Sequence, residues 1–108
     1  MKTHKEIEEF ILTMPEAFLD YPFGETTAVY KTRDGKMFAL IAENSKPVRV
    51  SLKGDPQLNE VLRDKYESVL PGWHLNKKHW NTILATGQLT DQELKDLIRH
   101  SFELVSHS

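Results

Sequence analysis

The chain has 108 residues, no cysteine, 39% hydrophobic and 28% charged residues, and a formal net charge of −2. That length bounds it to one domain, residues 1–108, with its own core, and the missing cysteine excludes a disulfide scaffold, a thiolate nucleophile and a thiolate-held metal. No apolar run approaches a membrane span and "MKTHKEIEEF" is too polar for a signal peptide, so a cytoplasmic chain without a membrane partner is expected.

Thr3 and Glu6 form a capping box ahead of Ile7, Phe10, Ile11 and Met14 at helical spacing, and Pro15 closes this first helix. "AFLDYPFG" reads as a turn-rich connector. "TTAVYKT" and "KMFALIAE" read as strands around Asp34-Gly35, a strong hairpin signal. "NSKP" turns the chain into a third strand, "VRVSL". Asp55-Pro56 opens a second helix with Leu58, Val61, Leu62 and Tyr66 on one stripe. "SVL" and "NTILA" are short strands on either side of "PGWHLNKKHW". Thr90 and Glu93 cap a last helix carrying Leu94, Leu97, Ile98 and Val105. The order α-β-β-β-α-β-β-α predicts a two-layer α+β domain with an antiparallel sheet of about five strands and helices on one face.

Charge is unevenly spread. Residues 26–54 carry 6 basic and 2 acidic groups, whereas residues 1–25 carry 2 basic and 6 acidic ones. A two-residue Asp34-Gly35 loop pairs Arg33 with Lys36, Lys31 with Phe38 and Val29 with Leu40. A four-residue "NSKP" loop sets Ala42 opposite Arg49 and Leu40 opposite Ser51. One face then holds Ala28, Tyr30, Met37, Ala39, Ile41, Val48, Val50 and Leu52, a core. The other holds Thr27, Val29, Lys31, Arg33, Lys36, Phe38, Leu40, Arg49, Ser51 and Lys53, with no acidic group. Basic side chains interleaved with apolar ones suit phosphate and base contact. On the residues alone they suit better a solvated outer face whose lysines blunt sheet edges, since surface lysines are common.

The segment "PGWHLNKKHW" holds both tryptophans. Trp73 and Trp80 are expected to anchor the loop in the core, with Asn76 capping a short turn and Lys77 and Lys78 in solvent. His74 and His79 are five apart with no acid between them, unlike the i,i+4 metal pair. No nucleophile elbow or paired carboxylates stand out, and His79 has no identified partner as a base. The expectation is no metal, no cofactor and no enzyme.

"YPFG", "GKMFALI", "PGWHLNKKHWNTIL" and a terminal helix ending "HSFELV" together resemble the MmcQ/YjbR family of small bacterial proteins, over nearly the whole chain. Asn76, Lys77, His79, Trp80 and Asn81 match its most specific motif. The resemblance implies an α-β3-α-β2-α domain with one sheet face open, and no catalytic residues to carry over. The family is labelled DNA-binding by analogy to a double-wing motif. The expected function is therefore a DNA-binding module, weak and salt-sensitive, with Lys31, Arg33, Arg49 and Lys53 on the sheet and Lys77, Lys78 and His79 as a second patch. The alternative is a protein-interaction or small-ligand module using Val29, Phe38 and Leu40 on the same face.

Overall fold

Each helix begins where a side chain satisfies its unpaired N–H groups. In this computed structural model, which describes residues 1–106, Thr3 and Glu6 cap α1 (His4–Ile11) reciprocally. Asp55 Oδ1 accepts from Gln57 N and Leu58 N to start α2 (Pro56–Lys65), and Thr90 with Glu93 starts α3 (Asp91–Ser106). Such caps are worth about 1 kcal/mol each. Between the helices run β1 (Phe18–Asp20), β2 (Thr27–Lys31), β3 (Met37–Ala42), β4 (Arg49–Lys53), β5 (Val69–Pro71) and β6 (Trp80–Leu84). They form one antiparallel sheet in the order β1-β2-β3-β4-β6-β5.

The two-layer α+β architecture is the expected one, with one more strand. "FLD" in the supposed connector is β1, which pairs with β2 and sets Asp20 opposite Val29. Opposite residues share a face, so the basic face does contain an acid. The core lies on the other face, where Ala28, Tyr30, Ala39, Ile41, Val50 and Ile83 meet Ile7, Ile11, Leu94, Ile98 and Val105 of α1 and α3. α2 behaves differently: Val61 is exposed, and the helix buries Asn59.

The β2–β3 hairpin departs from its expected register at the tip, and two irregularities cancel. Thr32 N donates to Lys36 O and Gly35 N donates to Thr32 O, with Gly35 at φ 81. That is a three-residue loop closed by a left-handed glycine rather than a two-residue turn. Alone it would slip the register by one. A bulge at Phe38 restores it, so Lys31 faces Met37 while Tyr30 faces Ala39 and Val29 faces Leu40, as expected. Phe38 and Met37 therefore exchange sides. Phe38 is buried in the core, its ring edge-on to Phe102 of α3 at 5.1 Å. Met37 lies on the outward face beside Val29, Leu40 and Trp80. Buried Ser101 ties the bulge down: its hydroxyl donates to Phe38 O at 2.5 Å and accepts from Lys53 N at 2.9 Å.

A polar cluster joins α1 to the sheet. The Tyr30 hydroxyl donates to Glu8, His4 Nε2 lies 3.2 Å from that hydroxyl, and Tyr21 donates to Glu43 at 2.7 Å. Burial, then the bond to Glu8, pushes the Tyr30 phenol well above its ordinary range. A raised phenol favours the folded chain fully below the unfolded value of about 10, and that advantage drains away as pH climbs toward the folded value.

Two measurements check these assignments. In urea titrations, Phe38→Ala is expected to cost about 3–5 kcal/mol and Met37→Ala less than about 2 kcal/mol; equal costs would contradict the bulge. The Tyr30→Phe variant is expected to lose stability less steeply than the parent above pH ~10. Parallel decline of the two would show that Tyr30 is not the group responsible.

Candidate binding cleft on the outward sheet face

The face turned away from α1 and α3 is not open. Its central row runs Val29, Leu40, Ser51, Thr82 and Leu70 across β2, β3, β4, β6 and β5. The first four are buried. What covers them is Trp80 together with the loop from Gly72 to His79. Trp80, 8% exposed, packs on Val29 and Leu40, with Leu75 and Met37 beside it. The expectation of an open face is corrected accordingly: a sheet row this apolar needs a lid, and the chain supplies one.

The lid is held by polar contacts from Asn76, Lys77 and Asn81 of the motif and from Asn59 and Arg63 of α2. Asn76 Oδ1 accepts from Lys78 N and His79 N, closing a turn. Lys77 Nζ donates to Gly72 O at 2.8 Å. Arg63 of α2 donates from Nε to Asn81 Oδ1 at 2.6 Å and from Nη2 to Trp80 O at 3.2 Å and to Lys77 O. Asn59 donates to Lys78 O, and Asn81 donates back to Asn59 O. Gly72 runs so close to Trp80 that a Cβ there would lie 2.7 Å from the Trp80 Cβ. The motif residues thus act as scaffold, and what they present is the lip Trp73-His74-Leu75.

Trp73 was expected in the core and is instead 58% exposed. Its N–H donates to Thr82 Oγ1 at 2.9 Å, which fixes the backbone while the indole stands out from the sheet. His74, at φ 58, sets its ring edge-on to the indole at 5.1 Å. The Arg49 guanidinium lies 4.9 Å from the Trp73 ring centroid, a cation–π stack. Between this lip and Phe23 the sheet floor forms a cleft of about 300 Å³, bottomed by Leu40, Ala42, Ser51 and Thr82. On the other side of Trp73 a second hollow of about 230 Å³ is bounded by Lys46, Pro47 and Leu70.

The seven basic candidates do not converge. Arg49 alone lines the cleft. Lys31 is on the expected face but is paired with Asp20 at 2.7 Å. Arg33 sits exposed at the hairpin tip, 3.7 Å from Glu16. Lys53 ends β4 opposite Trp80. Lys77 and Lys78 border a separate hollow with Pro56 and Glu60. His79 is half-buried, with its carbonyl accepting from Gly54 N. Sequence reasoning missed Phe23, which sits in a Pro-Gly turn without periodicity, and the hydroxyl pair of Ser51 and Thr82. That pair had a signal, since Ser and Thr at facing strand positions often hydrogen-bond.

A six-stranded α+β sheet with helices on one side and a motif-built lid over the other defines the class. The chain belongs to the YjbR family, whose model matches residues 12–104. It is 35% identical over 102 residues to YbdF of Escherichia coli O157:H7, covering 94% of this chain and 83% of that protein. It is 39% identical over 67 residues to YjbR of Escherichia coli strain K12, covering 62% of this chain and 57% of that one. Among solved structures, Deinococcus radiodurans DR2400 matches with a TM-score of 0.93 at 35% identity, over 98% of this chain and 80% of that chain.

If Arg63 holds the lid, Arg63→Ala should cost about 2–3 kcal/mol and speed amide exchange across residues 72–79. Lysine at 63 should rescue little, because one ammonium cannot span three acceptors in the guanidinium's plane. Unchanged exchange in the loop would mean that Trp80 packing alone keeps it closed.

Proposed function

We propose that the chain is a non-enzymatic module that binds nucleic acid through its outward sheet face, and that it takes an unpaired strand in preference to a duplex. The observation that carries this reading is the exposed Trp73 indole stacked on an Arg49 guanidinium, with no carboxylate in ion-pair range of Arg49 among the described residues. An aromatic platform beside a free cation is what stacking on bases and pairing with phosphates require. Lys46 borders the other side of the same indole and supplies a second phosphate contact along the strand.

Duplex binding finds less support. Among the described residues no helix projects from this face, Lys31 is neutralised by Asp20, and the remaining cations are scattered, so they act as a weak general field rather than a groove-tracking stripe. The non-enzymatic part of this reading is supported by the cleft's lining, which holds one histidine, His74, and no carboxylate, and among the described residues no acidic group pairs with that histidine. A protein-interaction reading has one observation behind it: Phe18, Leu19, Tyr21 and Phe23 are exposed at the β1 edge. Concentration-dependent self-association that added DNA leaves unchanged would favour that second reading.

Anisotropy titrations with labelled single strands and duplexes at two salt concentrations test the proposal. Expected is weak binding, tighter to single strands, that falls with salt. Arg49→Ala should lower it across all sequences and reduce the salt slope by about one unit, while Lys95→Ala on α3 changes little. Equal losses from both variants would reduce the effect to diffuse charge attraction and sink the proposal.

A further inference from the structure

The cleft between Trp73 and Phe23 encloses about 300 Å³, more than a flat stacking surface, and its floor carries an unspent proton. Ser51 Oγ and Thr82 Oγ1 lie 2.8 Å apart, and both residues are buried. Thr82 Oγ1 already accepts from the Trp73 N–H. Two hydroxyls carry two protons, of which one lies between them. The second has no acceptor among the described residues beyond this pair. Because both residues line the cleft, that proton faces an acceptor atom arriving from outside the chain.

Above that floor the walls are apolar at Leu75 and Phe23, with the Trp73 ring along one side. Arg49 also lines the cleft, its guanidinium 4.9 Å from the Trp73 ring centroid and matched by no carboxylate among the described residues. The cleft therefore presents a donor, an apolar slot beside an aromatic ring, and a cation. The volume, about 300 Å³, is at the small end for ligand pockets and has room for one ring system with a substituent.

We infer that the cleft seats a single unpaired nucleotide. Its base enters the slot against Trp73 and Phe23, a ring nitrogen or carbonyl oxygen of the base accepts from the Ser51–Thr82 pair, and its phosphate meets Arg49. This rests on the nucleic-acid reading and narrows it: the strand is gripped by one inserted base rather than by stacking along its length. The hydroxyl donor favours any base that presents an acceptor edge, so the site takes a base without reading a sequence.

The test titrates the intact protein with the four common nucleoside monophosphates and with the matching nucleosides, following tryptophan fluorescence and backbone NMR shifts. Trp80 is buried, so a Trp73→Phe control assigns the quenched emission. Expected are quenching of Trp73, shifts at Ser51 and Thr82, and displacement of a bound labelled oligonucleotide by monophosphates. Nucleosides should bind about tenfold more weakly, and Arg49→Gln should abolish that difference. Ser51→Ala should weaken monophosphate and nucleoside alike by about tenfold; if that variant misfolds, Thr82→Val offers a second removal of the pair. If oligonucleotides bind but monophosphates neither compete nor shift Ser51 and Thr82, the inserted base is wrong while the surface reading survives. Binding of monophosphates with no binding of oligonucleotides would keep the cleft as a nucleotide site and overturn the strand reading. If neither class binds, both fall.

Discussion

A sheet with helices on one side has a second face to dispose of, and here that face is too apolar for water. Val29 and Leu40 sit at its centre. The chain resolves this by turning Trp80 onto them and stretching residues 72–79 across the sheet, and the arrangement depends on Arg63. The carbonyls of Lys77 and Lys78 find their donors in side chains of α2 rather than in a neighbouring strand. One planar guanidinium from α2 serves Lys77 O, Trp80 O and Asn81 Oδ1 at once. Asn59, in the same helix, serves Lys78 O. α2 is thus less a core helix than a polar brace, which accounts for its burying Asn59 while Val61 stays in solvent.

Much of this architecture is legible in the residues, because alternation and capping are local signals. The pairing of Leu40 with Ser51 and Ala42 with Arg49 follows from one turn and a period of two, whereas Val29 meets Leu40 as expected only because the hairpin loop and the bulge cancel. The capping boxes at Thr3 and Thr90 follow from spacing alone. Phe38 does not. Asp-Gly fits a two-residue turn and a three-residue loop equally, and the bulge that repairs the register is held by Phe102 and Ser101, more than sixty positions away in the chain. β1 is three residues long, too short to show a period, and edge pairing asks little of its side chains.

The tryptophans show the same limit at the site. Both flank a Pro-Gly turn, and nothing in their order says which turns inward. The close approach of Gly72 to Trp80 decides it, together with the Trp73 N–H reaching Thr82. The motif Asn76, Lys77, His79, Trp80, Asn81 is the most specific part of the chain, and its chemistry looked like contact chemistry. In the fold most of it is spent internally: Asn76 on a turn, Lys77 on Gly72 O, Asn81 on Arg63 and Asn59. Specificity of sequence marked the scaffold, and the residues the scaffold displays lie just before it.

That division also explains why the basic segment misleads when read as a single patch. Strand pairing spaces cations along a sheet, but it equally delivers acids from strands that sequence reading overlooks. β1 brings Asp20 to Lys31, and the approach to β1 brings Glu16 near Arg33. The half of the face nearest β1 is thereby largely neutralised. Arg49 escapes because its neighbours across β3 and β6 are Ala42 and Leu84, neither of them charged. Its guanidinium turns to the Trp73 ring, which orients it without cancelling its charge. On the proposed reading, a cation kept whole beside an exposed ring, over a floor of paired hydroxyls, would gather the contacts to nucleic acid in one place. The net charge of −2 is then no obstacle, since what matters for an anion is the field at that one place and not the sum over the chain.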